Sequence, residues 1–349
     1  MRLAVVLFNL GGPDRPDAVR PFLFNLFKDP AIIGLPAPLR LPLAWLIARR
    51  RTPEAQEIYA ELGGGSPLKR LTEAQGEALT AVLAARGHEA RVFVCMRYWH
   101  PMSGETAALV KDWQPEHVVL LPLYPQFSTT TSGSSLGDWA RSKRAVGLDA
   151  PEHTVCCYPE EAGLIAAQAR LIGEALSNAS AAGHPRVLFS AHGLPKRVIA
   201  SGDPYQWQVE RTVAAVVRQL DRADLDYTIC YQSRVGPLEW IGPDTEGEVR
   251  RAGSDGVPVV MVPIAFVSEH SETLVELDLT YAKVAEASGV PAYVRVPAVG
   301  TATEFIDGLA GLVENAVKRD AEPASNLGGR LCPKSATRCI CAASPVDRC

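Results

Sequence analysis

His192 follows the apolar run "RVLF" inside "SAHGLP" (190–195), where a buried strand should end and leave an imidazole on the loop beyond it. Farther along, "VSEHSETLVELD" (267–278) spaces Glu269, Glu272 and Glu276 at i, i+3 and i+7, which is one face of an α-helix. Carboxylates that crowd together half-buried raise one another's pKa, so such a row is expected to take up and release protons near neutral pH and to attract a divalent cation. A solvated acidic helix start and a core histidine are the structural alternatives. The position of both features just after apolar strands favours a cleft over a surface. Tyr59, Tyr98, Trp99, Tyr124 and Trp240 fall on or near the same loops and would supply aromatic walls. A further group of thiols, Cys332, Cys339, Cys341 and Cys349, crowds the end of the chain with the spacing C-x6-C-x-C-x7-C. Four thiols in a tail without hydrophobic period suit zinc or a [2Fe–2S] cluster, both of which take four cysteines.

Positioning these groups requires a scaffold. Short Val/Ile/Leu-rich runs recur at 2–10, 91–98, 117–124, 153–158, 186–191, 227–232, 258–266 and 292–297. They are apolar on both faces and alternate with helical patterns such as "EAQGEALTAVLAARG", the signature of buried parallel strands in an α/β fold. A weak internal repeat relates "RLAVVLFNLGGP" to "PRVLFSAHGLP" and "VVLLPLYPQFS" to "VVMVPIAFVSEH". The expected architecture is therefore two similar doubly wound, Rossmann-like domains, 1–150 and 151–320, with a cleft between them and a cysteine-rich tail, 321–349. Ligands should sit beyond the carboxyl ends of the strands. The proline-interrupted segment 31–51, "AIIGLPAPLRLPLAWLIARRR", reads either as a helix on the core or as an apolar lip touching a membrane surface, its arginines meeting phosphates. "GGGSP" (63–67) lacks the lysine and spacing of a phosphate loop and is expected to hug a substrate with bare backbone.

A net charge of −4 on 349 residues, with no basic stripe, argues against a nucleic-acid surface. The first residues lack the pattern of a signal peptide and no apolar run is long enough to span a bilayer, so a cytoplasmic location is expected, peripheral to the membrane at most. A homodimer is left open.

Eight motifs in order resemble the ferrochelatase family over nearly the whole chain: "FNLGGP", "RRTPEAQEIYAELGGGSP", "RYWHP", "YPQFSTTTSGSS", "SAHGLP", "GDPY", "QSRVGPLEW" and "PIAFVSEHSETLVELD". The resemblance implies insertion of Fe2+ into protoporphyrin IX to give protohaem. It implies that His192 is the pyrrole proton acceptor or a metal ligand, that Glu272 is its acidic partner, and that Glu276 continues the proton or metal path. His270 and Glu269 would orient that helix. Tyr59, Arg97, Tyr98, Tyr124 and Trp240 would surround the macrocycle, with Arg50 and Arg51 at its propionates, where a guanidinium can donate two parallel hydrogen bonds. For the tail it implies a [2Fe–2S] cluster on Cys332, Cys339, Cys341 and Cys349, with Cys156 or Cys157 as alternative fourth ligand. Coproporphyrin as substrate, cobalt insertion by a related fold, and a non-catalytic tetrapyrrole carrier are the alternatives, although a carrier would have no use for three neighbouring glutamates.

Overall fold

A computed structural model of the chain describes residues 1–234, 236, 238–319 and 322–343. Contacts divide it into two compact units: 1–158 with 309–331 and the described residues from 339 on, and 159–308 with 332–338. Nine strands are formed: β1 Arg2–Asn9, β2 Glu89–Met96, β3 His117–Pro122, β4 Glu152–Cys157, β5 Arg186–His192, β6 Asp226–Gln232, β7 Val259–Pro263, β8 Tyr293–Arg295 and β9 Ala324–Ser325.

The first unit holds a five-stranded sheet in the order β2-β1-β3-β4-β9, all pairs parallel. Strand β1 is buried almost throughout: Ala4, Val6 and Phe8 join the cluster around Trp139, while Leu7 meets the opposite layer at Gly76 of helix Leu68–Ala85. Residues of period two covered on both sides explain why the run reads as continuously apolar. Helix Ala37–Ala60 takes in residues 37–51 of the apolar segment and continues through the arginines to Tyr59, with Pro42 and Pro53 inside it. The glycines of "GGGSP" serve the chain itself: Gly63 and Gly64 take positive φ, and a Cβ on Gly65 would lie 2.8 Å from the Asp14 carbonyl oxygen. At Gly65 that loop accommodates the chain's own backbone at Asp14, while a Cβ on Gly63 would meet nothing within 4 Å.

The second unit carries a four-stranded parallel sheet, β6-β5-β7-β8. Alternation along β5 and β7 divides the core. Val187, Phe189, Ala191, Val260 and Val262 face helices Ala162–Ala179 and Tyr205–Leu220, whereas Leu188, Val259 and Met261 face Val249, Leu277 and Tyr281. Strands buried on both faces give three layers and leave the loops after β5, β6 and β7 to carry chemistry. All eight sequence-expected strands form; the two-residue β9 had no signal, because its pairing comes from β4 and not from its own composition.

Candidate active site

Strand β5 ends at His192, whose register partner on β6 is Gln232. The chain then turns through Gly193, whose N–H donates to the Gln232 carbonyl at 2.9 Å. A Cβ at this glycine would lie 2.8 Å from that oxygen, so the close approach admits only glycine. Pro195 bridges to Trp240, and Ile241 N–H donates to the Leu194 carbonyl at 3.0 Å, so "HGLP" and "LEW" are knitted together and Trp240 stands half-buried beside the histidine loop. Val235 and Pro237 of "QSRVGPLEW" lie outside the described residues.

The acidic run departs from its expected geometry. Residues Glu272–Thr280 form a π-helix and not an α-helix, so an i, i+3, i+7 spacing no longer marks one face. Glu272 and Glu276 remain together, but Glu269, ahead of the π-turns, pairs with Arg295 at 2.5 Å and accepts from the Ala298 N–H at 2.8 Å. Arg295 also grips Asp278 through Nε and Nη2, at 2.6 and 2.7 Å. The expected crowding that raises carboxyl pKa values is thereby corrected. Burial pushes Glu269 up, but Arg295, Thr273 and the Ala298 amide more than offset it and hold the group below its usual range.

At the centre, His192 Nδ1–H donates to the Glu272 carboxylate at 2.9 Å. Burial disfavours the imidazolium, but the charge and hydrogen bond of Glu272, helped by Glu276, raise the His192 pKa above its ordinary value. Burial likewise opposes ionisation of Glu272, and His192 with His270 overrides it, holding that carboxyl at about 2. His270 accepts the Glu272 backbone N–H on Nδ1 at 3.0 Å, and burial lowers its pKa despite the nearby glutamates. The site thus holds one imidazole matched to a permanent carboxylate and a second that only orients it.

Glu276 is held by four donors: the Ser233 N–H at 2.8 Å, the Ser233 hydroxyl at 2.5 Å, Gln232 Nε2 at 3.1 Å and the Tyr281 hydroxyl at 2.9 Å. Ser233 adopts φ +62, an unusual left-handed conformation for a side-chain-bearing residue, which aims both its donors at one carboxylate. Gln232 is fixed in turn, its Oε1 accepting from Ser190 Oγ at 2.8 Å. Gln232, Ser233, Tyr281 and Arg295 were not singled out by sequence, although the first two sit inside "QSRVGPLEW". Among the described residues, no group of three or more His, Cys, Asp or Glu forms a ready cage for a metal ion.

In the first unit, Tyr59 is mostly buried on helix Ala37–Ala60, with Arg50 exposed and Arg51 half-buried on the same helix. Neither arginine makes an ion pair with a described residue. Arg97 and Tyr98 are a correction: Tyr98 is 0% exposed, so its ring reaches no guest in this conformation. Its hydroxyl donates to Asp29 at 2.9 Å, and Arg97 bonds the same carboxylate at 2.7 Å and Ser134 at 2.6 Å. Burial opposes the Asp29 charge, but the bonds from Ser134 and Ala31 with Arg97 and Tyr98 lower its pKa. Asp29 gave no sequence signal. Tyr124 is half-buried against the Trp139 cluster.

No disulfide joins the described cysteines, and each of them is buried. Cys341 lies 3.2 Å, sulfur to sulfur, from Cys156, which lies 3.3 Å from Cys157. These neighbours and burial push the Cys156 thiol well up. Cys332 accepts a hydrogen bond from Gln208 in the second unit. Cys349 lies outside the described residues.

Comparison with known proteins bears on all of this. The family model described as ferrochelatase matches residues 2–317. A ferrochelatase of Caulobacter vibrioides is 56% identical over 97% of this chain and 97% of its own length, and that of Phenylobacterium zucineum is 55% identical over 98% of each. Among solved structures, SirB from Bacillus subtilis with Fe3+ superposes with TM-score 0.51 at 11% identity, covering 92% of this chain and 96% of its own. The sirohydrochlorin chelatase SirB of subspecies spizizenii, with cobalt, gives TM-score 0.52 at 10% identity, with 91% and 96% covered. At such identities the likeness speaks for the fold alone.

Proposed function

The chain belongs to the ferrochelatase family, and from that premise we propose that the His192–Glu272 pair is where it carries out its chemistry. It is a metal chelatase, a lyase that inserts Fe2+ into protoporphyrin IX to form protohaem in haem synthesis. Metallation removes both pyrrole protons and strips water from the ion, so it needs a base, weak oxygen ligands and a water-poor site.

The 2.9 Å bond between His192 and Glu272 is the observation that carries the assignment. With Nδ1–H directed at the carboxylate, neutral His192 offers its Nε2 lone pair to a pyrrole N–H. The imidazolium that results is matched by Glu272, which is already ionised. Glu276, held by its four donors, is the onward acceptor for protons and a weak ligand for iron. Trp240, Tyr59 and Tyr124 are proposed as macrocycle walls, Arg50 and Arg51 as propionate donors, and Arg97 with Tyr98 as support built on Asp29. Replacing His192 by Ala is expected to lower insertion by ~10²–10⁴-fold with the fold retained by circular dichroism. Wild-type rates in that folded variant would overturn the assignment.

A [2Fe–2S] cluster on Cys332, Cys339, Cys341 and one further cysteine is also proposed. The gathered sulfurs of Cys156, Cys157 and Cys341 fit it and favour Cys156 or Cys157 as the fourth ligand. Such a group supplies one-electron redox capacity or a structural cross-link. Purified protein should be brown with broad visible bands; a colourless preparation would refute this. The apolar lip is proposed to touch a bilayer: Leu39 is 62% exposed, and Arg20 and Arg49 stand 5.5 Å from the exposed Trp45 ring. No described helix is long and apolar enough to cross a membrane.

A further inference from the structure

Ser190 stands on the same side of β5 as Leu188 and His192, two residues from each, and is 0% exposed. Thr245, the first residue of helix Thr245–Ser254, is equally buried, and Gln232 at the end of β6 is 1% exposed. The layer around them is apolar, with Leu188, Cys230, Val249 and Leu277 in one cluster. Hydroxyls are costly in such a place unless they are bonded, and alanine or valine would fill nearly the same space. Here Ser190 Oγ bonds Thr245 Oγ1 at 2.9 Å and Gln232 Oε1 at 2.8 Å.

The direction of that chain follows from its far end. Gln232 Nε2 faces two acceptors, the Glu272 backbone carbonyl at 2.9 Å and the Glu276 carboxylate at 3.1 Å, so that end of the amide must be the nitrogen. The other end is oxygen, and Ser190 donates to it. A hydroxyl has a single hydrogen, so Ser190 accepts from Thr245. Hydrogens therefore run one way, from Thr245 to Ser190 to Gln232 to Glu276, and each link polarises the next. Thr245 is itself held in place. The Asp244 carboxylate caps its helix by accepting from the Gly247 N–H at 2.8 Å, and the Tyr231 N–H donates to the Pro243 carbonyl at 2.9 Å, tying the turn ahead of the helix to β6.

We propose that Ser190 and Thr245 are positioning residues for metal insertion, locking the Gln232 amide with its N–H groups toward Glu276 and the Glu272 carbonyl. The inference rests on the role of Glu276 proposed above. An amide released from the lock and turned over sets its oxygen against both acceptors, and the repulsion moves Glu276 off its position.

The test is steady-state insertion of Fe2+ into protoporphyrin by the full chain. Ser190→Ala and Thr245→Val should each lower kcat about tenfold with the porphyrin KM unchanged. Thr245→Ser, which keeps the hydroxyl, should restore most of what Thr245→Val loses; a serine variant as slow as the valine one would reduce the position to packing and overturn the inference. Ser190→Ala added to Glu276→Gln should cost little further, because the chain acts through that carboxylate. Losses that multiply in full refute the coupling, and so does wild-type kcat in Ser190→Ala and Thr245→Val while Glu276→Gln is impaired. Wild-type kcat in Glu276→Gln removes the role of Glu276 and this inference with it. Should neither hydroxyl variant fold, neutron diffraction from deuterated wild-type crystals decides. Deuterons on the end of the Gln232 amide that faces Glu276 support the lock, and a reversed amide refutes it.

Discussion

His192 and Glu272 form a unit in which each fixes the state of the other, and the consequence is a pH dependence of defined sign. Because the His192 pKa lies above the ordinary 6.5, the neutral base is formed only above that value. The acid limb of kcat/KM should therefore lie above pH 6.5 and fall back in Glu272→Gln, which removes the charge that raises it. A limb that stays put in that variant would separate the two residues. Stability follows the same pair with opposite slopes at its two ends. The histidine's contribution is complete below its unfolded value and fades as pH rises through its raised folded value. That of Glu272 is complete above the unfolded value of about 4.5 and is lost as pH falls toward about 2. The pair therefore steadies the second unit most between those ordinary values, and the effect should vanish from thermal melts of His192→Ala.

At the level of elements, the site depends on a strand end and a π-helix that must be held against their own strain. Gly193 lets β5 turn beside β6, and Gly193→Ala forces a Cβ to 2.8 Å from the Gln232 carbonyl oxygen. That variant should lose ~1–3 kcal/mol in urea unfolding and more activity than stability, since His192 moves with the turn. Arg295 ties Glu269, before the π-turns, to Asp278, within them. Arg295→Leu leaves two partly buried carboxylates uncompensated, and the expected loss is ~3 kcal/mol, most of which Glu269→Gln in the same chain should restore. Without that restoration, the clamp is not what orders the segment.

For the molecule as a whole, the end of the chain is structural as well as chemical. Strand β9 pairs Ser325 with Cys157 on β4, Ile340 packs on the Trp139 cluster, and Cys341 is 2% exposed. A chain stopped after Lys318 should therefore melt at least ~2 °C lower, whatever metal it binds. An unchanged midpoint would show that the first unit is complete without its tail. Contact of the apolar lip with a bilayer belongs to this scale too. Flotation with anionic vesicles should fall when Leu39 and Trp45 are both changed to Ser, and a vesicle-bound double variant would remove the lip from consideration.

The strands, the three-layer order and the strand-end histidine were legible in sequence because apolar period and loop position are local properties that survive folding. "SAHGLP" and "QSRVGPLEW" drew notice, but the reason for their glycine and glutamine appeared only when β5 met β6. The π-helix was illegible, since α- and π-turns accept the same residues and only packed neighbours choose between them. Arg295 and Asp29 lie far in sequence from the charges they serve, so tertiary structure alone decided which carboxylates are neutralised. By itself the sequence determined which elements form and which loops carry polar groups. Folding decided each group's partner and hence its charge, because electrostatic energy depends on distance and burial, and no spacing along a chain encodes either.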